Sequence, residues 1–500
     1  MPAPSLFRVL IEERRWNSWG VFAGHFQRMA QELASEREEP ELASLTVPRK
    51  TFERWASGTW YGTPWRAAAV VLERLLGFPC SDLFAPAPDV LNAKAGSHDR
   101  GGLRAAAHIG ERWPTSRLFM SAADDLADSW QLTGGQDLDG TTMAVQFYPA
   151  SAEEDGVRVR LADTKALDRF LRPARRGVLV GVQEGDDDLR LYMADSLHAR
   201  HSRRSFTPGG ALRFSPAQLL DDFTYGLFWA LAQFDDGLLA DDQTLEEEWG
   251  ALSTYLSLPR SAPGRMALPV LTTAGSQWLG SAFCAQHIQS RLQDVSEPPV
   301  FWTREQTGEQ AAAWIFFRHK IDYLESLSAR YAGVASPLAR SFCIPEEEVA
   351  RSAVYERILL FLAITLMEMH KVHVHVTSHP DYSSVDGFAL ASGQRAAVAN
   401  WVRTDSVWAA DTVTDRSTLH GYREVFADAR EDSIMQGANP MARLQDLAEY
   451  LNLNWAWITD RCREFGDCGI ASVVRPRSRH LSVHALDNVL RYLGSFAPDG

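Results

Sequence analysis

Apolar residues recur at helical spacing through the first 85 positions. The segment WGVFAGHFQRMAQEL places Phe22, Phe26, Met29 and Leu33 on one helix face. Further on, LTVPRKTFERWASG predicts a short helix with Thr46 as N-cap, Pro48 in the first turn and Gly58 as its end. Val47, Phe52 and Trp55 share the inner side, which leaves Arg49, Lys50, Thr51 and Arg54 pointing outward. A closing helix in PWRAAAVVLERLLGFPCSDLF starts at the cation Arg66 and buries Val70, Leu72, Leu75 and Leu76, with Leu83 and Phe84 as a final plug.

The pattern then changes. The stretch APAPDVLNAKAGSHDRGG has no periodicity and marks a linker, set at residues 89–104 after a first domain of residues 1–88. In a region of residues 105–300, Met143 to Tyr148 and Val157 to Leu161 alternate like strands. Gly177 to Val182 and Leu189 to Met193 flank the turn EGDDD as a hairpin. HARHSRRS reads as a basic loop, and a helical block runs from about Pro216 to Tyr331. A last region, residues 301–500, predicts a helix over 346–370, strands in KVHVHV, FAL and RAAVANWV, and helices again from Met441. Its end has the outline of a winged helix over 441–494: two helices, then a wing in IASVVRPRSRHLSV whose turn carries Arg475, Arg477, Arg479 and His480. Trp455 and Trp457 stand where polar base-reading residues belong, which favours a protein or ligand contact there. The fold class is therefore multidomain α+β: an N-terminal all-α helix-turn-helix domain, then a mixed, mainly helical region with small sheets.

Charge sharpens this picture. The net charge is −14, yet residues 1–85 hold ten basic and ten acidic residues, leaving 40 basic and 54 acidic in the rest. All of the excess negative charge lies outside the first domain. An acidic body discourages non-specific wrapping on phosphates and confines DNA contact to one module. An outward face with two or three cations and a hydroxyl suits the major groove, where arginine bonds guanine bidentately. The most apolar run, Ile358 to Met367, falls far short of the ~20 residues of a spanning helix. With no export signal at the N-terminus, the expected location is cytoplasmic, at the nucleoid.

These residues also carry a resemblance. Residues 16–85 resemble lambda-repressor-like (Xre-type) helix-turn-helix regulators of high-GC bacteria. The matching residues are Thr46, Val47, Arg49, Lys50, Thr51, Phe52, Arg54, Trp55 and Gly58, then Leu72, Leu75, Leu76, Gly77, Pro79, Leu83 and Phe84. The resemblance implies that Arg49, Lys50, Thr51 and Arg54 belong to a recognition helix; Thr46 and Arg66 join them as candidate DNA contacts. Pro48 departs from the family's small hydroxyl residue, and the preceding helix, PELAS, is short. Residues 105–500 are similar to the uncharacterised C-terminal half of long regulators of this kind, which implies a regulatory region and no chemistry. The order of HKVHVHV and DGFALASGQRAAVANWV is also similar to the core of phage-repressor-cleaving metallopeptidase domains, but no HExxH follows.

Other candidate chemistry reads as structure. His373 and His375 share one strand face near His370, His379 and Asp381, while Val372, Val374 and Val376 take the core side. The histidine face is then the wet side rather than a metal site. DDGLLADD, LEEEW and PEEE read as solvated faces and helix starts. The five cysteines read as ordinary packed thiols. Trp229, Trp249, Trp278, Trp302 and Trp314 read as core, with a ligand pocket between helices as the alternative. The expectation is a transcriptional regulator rather than an enzyme, with no metal and no cofactor. It binds double-stranded DNA at an inverted repeat as a homodimer, answers a small-molecule or protein effector and has no membrane partner. The alternative is an enzyme or defence effector, degenerate and metallopeptidase-like in its C-terminal region, that uses the first domain as a DNA address.

Overall fold

A computed structural model describes residues 5–13, 16, 18–37, 39–57, 60, 62–76, 80–85, 100–119, 128–154, 156–159, 176–185, 189–203, 212–391 and 394–497. The chain folds as two compact units, Met1–Thr224 with Ala471–Arg475, and Tyr225–Ile470 with Pro476–Gly500. Gly58, Gly77, Pro79, most of the expected linker and residues 186–188 of the expected hairpin turn lie outside the described residues.

The first unit starts with helices α1 (Leu6–Glu13), α2 (Trp19–Arg37), α3 (Arg49–Ala56), α4 (Arg66–Leu76) and α5 (Cys80–Leu83), with a 3₁₀ turn at Pro40–Ser44. They share one aromatic core. Phe7 meets Phe22 at 5.5 Å, Phe84 at 5.1 Å and Trp55 at 5.9 Å between ring centroids, and Phe22 meets Phe52 at 5.0 Å. The expected inner residues Phe22, Phe26, Met29, Leu33, Val47, Phe52 and Trp55 are all buried. In α4 the core residue is Val71; Val70 is only half-buried, one position around the helix. The helix caps correct the sequence reading. The N-cap of α3 is Pro48, with extended backbone and no side-chain cap, and Thr46 lies two residues outside. A proline forces its predecessor into extended backbone, so a helix cannot run through Val47 to reach the Thr46 hydroxyl.

Helix α6 (Arg100–Arg112) precedes seven strands: β1 (Ser116–Phe119), β2 (Asp128–Leu132), β3 (Thr141–Glu153), β4 (Gly156–Val159), β5 (Gly177–Glu184), β6 (Leu189–Asp195) and β7 (Leu212–Phe214). The long β3 is shared along its length. Its start pairs antiparallel with β2, its middle parallel with β5 and its end antiparallel with β4. The hairpin read at 177–193 is present as antiparallel β5 and β6. The basic loop is not: Ser196–Arg203 forms α7, because Asp195 accepts from the Leu197 N–H at its start and seeds the first turn. A buried ion pair, Arg176 to Asp195 at 2.9 Å, ties this sheet to the Arg475 backbone, whose carbonyl accepts from Arg176.

The second unit takes α8 (Asp222–Leu256) from Tyr225 onward, then β8 (Arg260–Ser261), α9 (Thr273–Arg291), β9 (Val300–Thr303), α10 (Gly308–Phe316) and α11 (Arg318–Arg330). It continues with β10 (Leu338–Cys343), α12 (Glu346–Arg351), α13 (Val354–Met369), β11 (Val372–Thr377), β12 (Phe388–Ala391), β13 (Arg395–Asn400) and β14 (Ala409–Val413). Helices α14 (Arg416–Glu431), α15 (Pro440–Tyr450), α16 (Trp455–Cys468) and α17 (His484–Gly494) complete it. The sheet order is β11-β10-β9-β12-β13-β14-β8; the first three strands run parallel and the rest antiparallel. Parallel strands need helical crossovers, supplied by α10 with α11 and by α12 with α13. Helices α10 and α13 cross closely at Gly308, where a Cβ would lie 1.9 Å from the Glu356 carbonyl oxygen, so only glycine fits there.

Four expectations change in this unit. The helical block to Tyr331 is interrupted by β9, a four-residue strand with no alternation. The helix over 346–370 breaks at Ser352 into α12 and α13. The His373/His375 face is not wet: α14 covers it, His375 is 7% exposed and packs edge-on against Phe426 at 5.9 Å. Finally, there is no wing. Helices α15 and α16 turn at Asn452, whose φ is 51°, but residues 470–472 form a 3₁₀ turn and α17 follows the basic segment.

Candidate nucleic-acid interface and candidate ligand pocket

The outer face of α3 is built by its inner one. Burial of Phe52 and Trp55 leaves Arg49, Lys50 and Arg54 exposed and Thr51 half-buried. Three contacts fix this helix. Trp19 Nε1 donates to the Val47 carbonyl at 2.8 Å, holding the segment that enters it. Arg8 donates to the Ser57 carbonyl at 3.0 Å, where a cation complements the negative helix end. Thr51 and Phe52 amides both donate to the Pro48 carbonyl, so the amides of Arg49 and Lys50 precede the first intrahelical bond.

The cations are not equivalent. Arg49 Nε donates to Glu53 at 2.8 Å, one turn along, in an exposed pair. The Arg54 guanidinium lies 5.0 Å over the Trp60 ring, and Trp60 in turn rests on Phe84. Arg66 is exposed at the first position of α4, where a cation opposes the helix dipole, and Thr46 is exposed ahead of α3.

The second basic segment is consumed internally. Arg477 pairs with Asp235 at 2.8 Å and also with Asp236; Arg479 pairs with Asp242 at 3.0 Å and Glu246 at 2.9 Å; His480 meets Asp242 at 3.1 Å. The acidic run on α8 thus occupies the very cations that the wing reading offered to phosphates.

A third cluster lies in the second unit. A pocket of about 50 Å³ lies at the carboxyl end of β9, where the sheet changes from parallel to antiparallel pairing. Crevices form at such switch points because neighbouring connections leave in different directions. Its walls are Phe301, Trp314, Trp401 and Phe388, with Cys284 of α9. Into this apolar frame project Glu305, Lys320, Tyr323 and Arg340, each 5% exposed or less.

Glu305 accepts from Lys320 Nζ at 3.2 Å and from Trp314 Nε1 at 2.9 Å. Lys320 Nζ also sits 3.7 Å from the centre of Trp314 and 4.3 Å from that of Trp401, a cation between two π faces. Burial pulls its pKa down to about 8, against the opposing pull of Glu305, so it remains mainly charged at neutral pH. The Arg340 guanidinium is packed 4.6 Å from Phe301 and 4.8 Å from Trp314, and its Nη1 donates to Thr303 Oγ1 at 2.8 Å. Arg340 Nε and Tyr323 Oη are both buried, and beyond that Thr303 contact the Tyr323 hydroxyl and the Arg340 guanidinium have, among the described residues, only each other nearby to complete their polar contacts. Burial pushes the Tyr323 hydroxyl up to about 12, so it is an O–H donor at neutral pH.

Elsewhere burial lowers the pKa of both histidines of β11. Burial lowers His375 to about 4, with His373, Arg430 and Arg443 adding repulsion, and the two imidazoles stack at 4.6 Å. Among the described residues no group of three or more His, Cys, Asp and Glu side chains is placed to hold a metal ion. The five cysteines are free, four of them buried. No described helix is long and apolar enough to cross a membrane. Comparison with family models, curated proteins and solved structures finds no match to this chain.

Proposed function

We propose that the chain is a sequence-specific, double-stranded DNA-binding transcriptional regulator. In this reading a helix-turn-helix of the Xre type reads an inverted repeat as a homodimer, and the C-terminal region senses an effector. The observation that carries the reading is the outward face of α3. Arg49, Lys50, Thr51 and Arg54 stand on a short helix whose inner residues are locked into an aromatic core, with Arg66 exposed at the start of the next helix. A rigid helix with cations at its amino end and outer face suits a major groove: arginine to guanine for sequence, the others to phosphate for register. The short 3₁₀ turn Pro40–Ser44 stands in the place of a helix-turn-helix first helix.

The test is sequencing of genomic fragments retained by the purified full chain, with Arg49→Ala/Arg54→Ala as control. A shared inverted repeat that the control fails to enrich supports the reading. Retention no better than bulk DNA, or enrichment unchanged in the control, overturns it. Light scattering of the free protein checks the dimer.

A further inference from the structure

We propose that the pocket at the end of β9 is a binding site for a small monocarboxylate, of acetate-to-butyrate size, held by Arg340 and Tyr323. The site stands on the geometry of the second unit alone; only its meaning as an effector site rests on the DNA-binding reading.

Charge is the first argument. Lys320 and Arg340 face a single carboxylate, Glu305, which Lys320 and Trp314 already engage. Among the described residues Arg340 has no ion-pair partner. A buried guanidinium without a counter-ion is costly, and one monoanion brings the cluster to neutrality. A dianion would overshoot it.

Donor geometry is the second. With Nη1 committed to Thr303, the Nε edge of Arg340 has, among the described residues, no carboxylate on it and faces only the Tyr323 hydroxyl. That edge presents two parallel N–H groups at the spacing of carboxylate oxygens. Tyr323 Oη, buried beside it with its oxygen toward the guanidinium, still has its O–H to give as a third donor. A ligand carboxylate that accepts from all three gives the guanidinium a counter-ion and the Tyr323 O–H an acceptor at once.

Size and polarity are the third. A site needs about 10–15 Å³, on the same measure, for one water, so about 50 Å³ holds a carboxylate and a short body. The polar side chains that also line it, Ser281, Arg304 and Asn400, are engaged with His319, Asp386 and Gly387, so the aromatic walls favour an alkyl chain over a hydroxylated or phosphorylated one.

The experiment titrates the full chain with sodium propionate at constant ionic strength, following tryptophan fluorescence, since Trp314 and Trp401 line the site, and the melting temperature. Propionamide, a neutral isostere, and inorganic phosphate are the comparison probes. The proposal expects saturation with propionate, no response to propionamide and at least tenfold weaker binding of phosphate. It expects at least tenfold loss in Arg340→Lys, which keeps the charge but not the fork, and several-fold loss in Tyr323→Phe. A linear response shared by all salts, or propionate binding untouched by Tyr323→Phe, overturns it. Tyr323→Phe decides alone if Arg340→Lys does not fold. No DNA enters the assay, so its failure leaves the DNA-binding reading standing, and the reverse holds too.

Discussion

Asp235 and Arg477 form an ion pair in which the carboxylate is wholly buried and the guanidinium is mostly so. One oxygen takes Arg477 Nε; the other accepts the backbone amides of Arg477 at 2.6 Å and Ser478 at 2.7 Å. The pair fixes the segment before α17 and spends a cation that a DNA-binding wing would need.

Removing one partner of such a pair strands the other. Arg477→Ala is expected to cost about 3 kcal/mol in urea unfolding, since a buried carboxylate left uncompensated costs ~3–5 kcal/mol and here keeps two amide donors. The same variant should leave DNA retention unchanged. Arg479→Ala should be nearly silent in both assays, because its pairs with Asp242 and Glu246 are exposed.

On α3 the sign reverses. Glu53 holds Arg49 and adds negative charge to the face that is proposed to meet DNA. Glu53→Gln is expected to raise DNA affinity several-fold, and Lys50→Ala to reduce the slope of log K against log salt by about one. Both are read from binding isotherms between low and moderate salt. An unchanged or lower affinity in Glu53→Gln would remove Arg49 from the contact.

The histidine pair predicts a pH dependence. His375 sits at about 4 in the fold, against an ordinary value of 6.5. Between those values the unfolded chain binds a proton that the native state does not, so native stability falls as pH drops from about 6.5 to 4. The loss from this residue is at most about 3 kcal/mol. His375→Asn should flatten the melting-temperature profile across that window relative to wild type. Parallel profiles would show that His375 does not titrate with folding.

The Glu305–Lys320 pair predicts non-additivity. Glu305→Gln leaves two buried cations without a carboxylate and should cost on the order of 3 kcal/mol. Lys320→Met added to it removes one of those cations, so the double variant should be more stable than the sum of the two single changes implies. Additive losses in chemical denaturation would contradict the coupling.

Periodicity made much of the first domain legible, because a small helical core needs its apolar residues at local spacing: Phe22, Phe26, Phe52 and Trp55 are all inside. The β5–β6 hairpin was legible for the same reason. Pairings that depend on distant chain were not. The alternation in IASVVRPRSRHLSV suggested strands, but its arginines answer carboxylates some 240 residues upstream on α8. The pocket cluster was invisible because Glu305, Lys320 and Arg340 come from three different elements at no recurrent spacing. The one local trace is a lysine buried within the apolar WIFFRHKIDYL. His373 and His375 were placed on the face opposite the valines, but the helix covering them, α14, was missed although Leu419, Tyr422, Phe426 and Ala429 recur at helical spacing.

The two-residue strand β8 has a consequence for how the chain matures. Arg260 and Ser261 pair with Asp411 and Ala410, so the far edge of the second sheet waits for chain made about 150 residues later. At ~5–20 residues per second of synthesis, that interval is roughly 8–30 s. A long strand left open for that time would be a template for neighbouring nascent chains. Two residues, one of them a charged arginine, give a neighbour almost nothing to pair with.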